Sequence, residues 1–119
     1  MEALHKKHCT SYSKSESLID QNMRHKLIPE LPFWEIVVHQ EVEMLIQEFR
    51  LLGFQEAFNF TSQIASLAEE QNHHPKIITE WGKVTVYWWS HEIKGLHLND
   101  FIMAAKTDLA FKLLSEKRK

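Results

Sequence analysis

Apolar and polar positions follow two different periods along the chain, and the changes between them mark out its elements. The clearest helical stretch begins after Gly53, where Phe54, Ala57, Phe58, Thr61, Ile64, Ala65 and Ala68 recur at steps of three and four and predict one buried face. Phe60 and Leu67 lie off that stripe, and imply either a wider buried face or a subunit contact. Pro75 limits the helix, because the residue before a proline is pushed out of the α region, and the stop is expected near Asn72 to His74. Beyond it the period becomes two. Lys76 to Glu80 reads as a short strand, Trp81-Gly82 as a turn, and Lys83 to Ser90 as the strongest strand, with Val84, Val86 and Trp88 on one face and Thr85, Tyr87 and Trp89 on the other. His91 continues the register of Thr85, Tyr87 and Trp89, so it is expected on the aromatic side.

Upstream, Leu27 to Trp34 holds two prolines among large apolar side chains and predicts an extended lead-in packed on the core. Trp34 to His39 then reads as a strand. Glu41 to Leu52 fits either period in places but is read as a second strand, forming an antiparallel hairpin around His39-Gln40-Glu41. Gly95 breaks the chain again, and a last helix from about Leu98 carries Leu98, Phe101, Ile102, Ala105, Leu109 and Leu113 on one face before ending in the solvated Lys117-Arg118-Lys119. Residues 1–22 are Ser-, Lys- and His-rich with little periodicity, and predict a flexible or weakly ordered tail ahead of a single domain at 23–119. Deleting Met1 to Asp20 is expected to leave folding and activity within a few-fold.

Composition narrows the class. A chain of 119 residues and 14.1 kDa suffices for one core, and 44% hydrophobic with 25% charged residues is the balance of an ordinary globular domain. A net charge of -2 offers neither a basic surface for nucleic acid nor an acidic tail. There is no apolar run of the roughly 18 residues a membrane span requires, and no secretory h-region at the start, so no membrane association and a cytoplasmic location are expected. The single cysteine, Cys9, cannot form an internal disulfide, and its polar neighbourhood suggests no structural role. The chain shows no internal repeat, no glycine-rich phosphate loop and no Cys/His zinc spacing.

The chemistry concentrates where the helix stops, at Glu69-Glu70-Gln71-Asn72-His73-His74-Pro75. Two imidazoles at a helix C-terminus meet the negative end of its dipole, and an imidazole exchanges a proton near neutral pH. Glu69, four residues before His73, is expected on the same helix face and able to orient that ring. The plainer reading is that histidine in a last turn is an ordinary stop signal. Asp100 likewise has an ordinary explanation, since an acid in a first turn complements the dipole and completes a capping box.

Taken together, Glu69, His73-His74-Pro75, Trp81, His91 and Asp100 resemble the signature of the pterin-4a-carbinolamine dehydratase family. The likeness includes the helix text Phe54 to Phe60, the Asn72-His73-His74-Pro75 core, Ser90-His91-Glu92, and Gly95-Leu96 followed by Asp100. It spans roughly Phe54 to Phe111, with a weaker echo at Leu27 to Trp34. Departures are Lys76 and Ile77, where the family commonly has an acid and an aromatic, and His97 in place of Ser or Thr at the last helix's cap.

The resemblance implies an α+β fold, a four-stranded antiparallel sheet with helices packed on one face, assembling as a homodimer or homotetramer. It implies dehydration of a 4a-hydroxytetrahydropterin to the quinonoid dihydropterin, recycling the pterin of an aromatic amino acid hydroxylase, with no cofactor and no metal because the pterin is the substrate. By the same resemblance His73, His74 and His91 are catalytic, with His73 as the acid at the hydroxyl, His91 across the ring and His74 polarising the pterin. Glu69 and Asp100 orient the histidines, while Asn72, Pro75, Trp89, Ser90 and Glu92 join them in binding substrate. His73 and His91 are expected to be partly exposed in the pocket.

Two rival readings stand beside this one. Three histidines and two carboxylates could ligate zinc or iron, although adjacent His73 and His74 are poorly placed to converge on one ion. The other is a non-catalytic interaction module acting as a dimerisation cofactor or regulator, as animal members of the family also bind a transcription factor's dimerisation segment.

Overall fold

The computed structural model describes residues 3–10 and 18–117 and contains four strands in one antiparallel sheet. They are β1 (Glu35–His39), β2 (Val42–Arg50), β3 (Lys76–Glu80) and β4 (Lys83–Trp88), in the order β1-β2-β4-β3. Each outer strand is tied to its inner neighbour by a two-residue turn. Gln40 and Glu41 both take positive φ, 52° and 69°, the handedness that matches strand twist, while Gly82 supplies φ 74° in the Trp81-Gly82 turn. Among the described residues three α-helices complete the domain: α1 (Gln21–Leu27), α2 (Phe54–Gln71) and α3 (Leu98–Lys117). The fold is α+β as expected, and α2 and α3 cover the sheet face that carries Val84, Val86 and Trp88.

Three rings join the layers. Phe49 of β2, Phe60 of α2 and Phe111 of α3 meet pairwise with centroids 5.0, 5.0 and 5.6 Å apart. Phe60 is completely buried, so the expected stripe on α2 is displaced: Ala57, Phe60, Ile64 and Ala68 face the core, whereas Phe54, Phe58 and Ala65 are exposed. Both stripes fit a 3.6-residue period and share Ala57, Ile64 and Ala68. The sheet selects the side whose ring can enter between Phe49 and Phe111. Phe60→Ala is expected to cost about 3–5 kcal/mol of unfolding free energy in urea titration, the range for truncating a buried aromatic. A surface position would lose less than about 0.5 kcal/mol.

The N-terminal part departs furthest from expectation. Where an extended lead-in was predicted, α1 runs into a 3-10 turn at Ile28–Glu30, because Asp20 caps α1 by accepting the Met23 N–H and Pro29 suits a first helical turn, where no N–H is required. Arg24 of α1 pairs through both guanidinium ends with Glu43 of β2, at 3.0 and 2.9 Å. That pairing holds the Glu43 carboxyl below its ordinary range. Residues 3–10 are also not a loose tail: Leu4 is 2% exposed within the core, and Cys9 is half-buried rather than without structural role, so the expected tolerance to deleting the tail is withdrawn. Composition misleads here because one apolar anchor suffices when side chains elsewhere satisfy the backbone. Residues 11–17 of the expected tail, and Arg118 and Lys119, lie outside the described residues. Among the described residues no helix is long and apolar enough to cross a membrane.

Candidate active site

The site is built where α2 stops. Asn72 adopts the left-handed conformation, φ 52° and ψ 44°, and the His73 N–H reaches back to the Ala68 carbonyl at 3.1 Å. This is the Schellman turn that commonly ends a helix, and Asn is among the few residues other than Gly that enter it readily. Pro75 then starts the extended run into β3. Since His73 lies beyond the left-handed residue, the four-residue helical spacing no longer relates it to Glu69. Glu69 pairs instead with the Nε2 of His74, on a surface where their side chains are 77% and 53% exposed. The expectation that Glu69 orients His73 is therefore corrected.

His73 turns inward. Its Nε2 lies 2.6 Å from Asp100 Oδ1, and the side chains are 4% and 0% exposed. The imidazole runs nearly parallel to the Trp88 indole, with an interplanar angle of 8° and centroids 5.9 Å apart. The second carboxylate oxygen of Asp100 accepts the Ser90 hydroxyl at 2.8 Å and the His97 N–H at 2.9 Å. In return His97 Nδ1 accepts the Asn99 N–H at 3.0 Å. The pair His97 and Asp100 thus forms a capping box in which imidazole replaces the usual hydroxyl. Asp100 serves both purposes suggested for it: it caps α3 and holds a histidine. Its carboxylate favours the His73 tautomer with the proton on Nε2 and the lone pair on Nδ1.

The remaining histidines form an outer rim. His91 is exposed, stacks on Trp89 with centroids 4.2 Å apart, and donates from Nε2 to the His74 carbonyl at 3.3 Å. Ser90 and Gly95 exchange backbone hydrogen bonds, closing the loop that presents His91 and the exposed Glu92. His91 and Trp89 share one side, as the strand register predicted. His73 does not share His91's exposure, and that expectation is corrected: His73 and Asp100 form a buried acid–imidazole pair, while the rings of His74 and His91 are exposed. Among the described residues no group of three His, Cys, Asp or Glu side chains is arranged to hold a metal ion.

The sequence reading missed Trp88 as the stacking partner of His73, and Asn99 and Gln71 as contacts of the N-terminal segment; it placed His97 at the cap of α3 but not its ring as an acceptor there. The His97-to-Asp100 spacing was the signal available for the cap. Cys9 also approaches the site. Burial, chiefly, pushes its thiol up to about 12, with the negative charge of Asp100 adding and Lys106 opposing, so it stays neutral at physiological pH.

Comparison with known proteins gives consistent matches. A family model described as pterin 4 alpha carbinolamine dehydratase matches residues 16–110. A protein of Nitrosococcus oceani, provisionally named a pterin-4-alpha-carbinolamine dehydratase, is 47% identical over 112 residues, covering 94% of this chain and 99% of its own. One of Chlorobium luteolum with the same provisional name is 43% identical over 114 residues, covering 96% and 100%. Among solved structures, a Brucella melitensis protein described as a transcriptional coactivator/pterin dehydratase superposes with TM-score 0.69 at 24% identity, covering 79% of this chain and 98% of its own, a likeness that bears on the fold.

Proposed function

Because the chain belongs to the pterin-4a-carbinolamine dehydratase family, we propose that it dehydrates a 4a-hydroxytetrahydropterin to the quinonoid dihydropterin by histidine acid–base catalysis. The observation that supports this reading is the buried His73–Asp100 pair, adjoined in the chain by exposed His74, whose carbonyl accepts from exposed His91. In the reaction the C4a–O bond breaks as an acid protonates the departing hydroxyl, a base takes the N5 proton, and the N5 lone pair closes the new C=N bond. One water leaves, and no redox change occurs. Imidazole suits both steps, because its ordinary pKa of about 6.5 lets it give or take a proton at neutral pH.

In this scheme His73 is the acid at the hydroxyl: the doubly protonated ring keeps its Nε2–H on Asp100, whose carboxylate stabilises the cation, and gives up the proton on Nδ1. His91 takes the opposite role across the ring, and His74 polarises the pterin while Glu69 holds it. Trp89 offers a flat apolar face beside His91, and Asn72, Pro75 and Glu92 frame the substrate; Ser90, expected among them, is fully buried with its hydroxyl on Asp100 and acts only through that carboxylate. No group beyond the pterin and these side chains is needed. The biological setting that fits is recycling of the pterin of an aromatic amino acid hydroxylase. The decisive measurement adds purified protein to freshly made 4a-hydroxytetrahydropterin and follows quinonoid dihydropterin by absorbance. A decay rate equal to that in buffer at micromolar protein would overturn the proposal.

Assembly as a homodimer or homotetramer belongs to the same reading, although not for the reason first suggested, since Phe60 is spent inside the core. The apolar surface is supplied by Leu52, Phe54 and Phe58, with exposed Trp81 reaching back against Gly53. Sedimentation should give a multiple of 14.1 kDa, and a monomer at micromolar concentration would contradict it.

A further inference from the structure

His73 and Asp100 hang from different helices, and their 2.6 Å contact depends on how the C-terminal end of α2 sits against the first turn of α3. Two consecutive residues of the N-terminal segment grip those two ends. The Cys9 N–H donates to Gln71 Oε1 at 2.8 Å, two residues before His73. The Thr10 N–H donates to Asn99 Oδ1 at 3.0 Å, and Asn99 Nδ2 returns a hydrogen bond to the Thr10 carbonyl at 2.7 Å, one residue before Asp100. We propose that residues 3–10 form a strap that positions the His73–Asp100 pair, with Gln71 and Asn99 as its positioning residues. This rests on the dehydratase reading and adds to the site a part that touches no substrate.

The strap is anchored well away from the pair. Leu4 is buried in the core, and the Lys106 ammonium donates to the His5 carbonyl at 2.9 Å, fixing the strap along α3. Asn99 is the informative residue. Asn is a poor helix former, and burying an amide costs free energy unless both its ends are bonded, yet Asn99 is 2% exposed with both ends spent on one backbone unit of the strap. The same residue's N–H is held by the His97 cap, so strap, cap and Asp100 meet within one helical turn. Proton transfer to a bound substrate is sensitive to small displacements, and a mutation that shifts the reacting groups by about 1 Å can cost on the order of 10²-fold.

The test uses full-length variants and two readouts: kcat and KM across pH, and the 15N and 1H resonances of the His73 ring. Asn99→Ala and Gln71→Ala should each lower kcat about five- to tenfold with KM within about twofold, change the pH profile of kcat, and move the His73 ring resonances. Gln71→Glu keeps an oxygen for the Cys9 N–H and should restore kcat to within about twofold. In a chain lacking residues 2–10, Asn99→Ala should cost almost nothing further, because its partner is already gone. If that truncated chain does not fold, the point variants and the ring resonances still decide. The proposal is overturned if the point variants lower only the melting temperature and leave kcat per folded molecule, its pH profile and the His73 resonances unchanged. Should the wild-type protein fail to dehydrate the pterin, the functional reading falls, and the ring resonances alone then support the strap by moving or overturn it by staying fixed.

Discussion

His91→Ala lowers turnover by about 10²-fold or more while the melting temperature stays within a few degrees, and His73→Ala lowers both. The difference follows from where the two rings sit. His91 is exposed and held by one 3.3 Å hydrogen bond and a stack on Trp89, so its removal opens no cavity and strands no buried group. His73 is 4% exposed beside Trp88, and its removal leaves a void and takes one partner from a buried carboxylate, which together cost about 2–4 kcal/mol. Turnover of the folded fraction should still fall by about 10²-fold or more, because the acid at the leaving oxygen is gone. The double variant separates this from two independent defects: groups acting on one transition state lose far less together than the product of their single losses. Single-turnover rates on preformed carbinolamine, paired with calorimetry of each variant, give the needed numbers. Losses that multiply in the double variant would show that the two rings do not share a step.

The fold was legible because its signals are local. Alternation in Lys83 to Ser90, the turn at Trp81-Gly82 and the stop at Pro75 all lie within a few residues of the structure they produce. On α2 the sequence left two faces almost equal, and the choice was made by Phe49 and Phe111, which are distant in the chain. The site shows the same division. His73, His91 and Asp100 stand out by residue type and spacing, but which carboxylate serves which imidazole depends on one left-handed residue. Asn72 carries the chain out of the helix, sending His73 to Asp100 and leaving His74 to Glu69. The strap was invisible for a related reason. Its contacts run through backbone N–H and C=O groups, which every sequence possesses, and their partners Gln71 and Asn99 read as ordinary polar residues beside more conspicuous neighbours.

Asp100→Asn tests the buried pair without emptying its site. The carboxylate accepts three hydrogen bonds, from the His73 ring, the Ser90 hydroxyl and the His97 N–H. A carboxamide has one oxygen to accept with and an NH2 group that only donates. If its oxygen keeps Ser90 and His97, the NH2 faces His73 Nε2, and the ring must surrender that proton and carry it on Nδ1. The opposite orientation would set the NH2 against the His97 N–H and undo the cap on α3. The first arrangement wins, because it preserves two hydrogen bonds and makes a third at the expense of a tautomer. The variant should therefore fold with a modest loss of stability, about 1–2 kcal/mol, while turnover falls on the order of 10²-fold or more, because a ring that accepts the carboxamide NH2 at Nε2 cannot also be the doubly protonated acid. Asp100→Ala should behave differently. It strands the Ser90 hydroxyl and the His97 N–H as well, and should cost about 3–5 kcal/mol by urea unfolding. The 15N resonances of the His73 ring report which nitrogen is protonated, so tautomer and turnover can be read on the same sample. Near wild-type turnover in Asp100→Asn with the proton moved to Nδ1 would mean that the tautomer of His73 does not matter, leaving Asp100 to the helix cap alone.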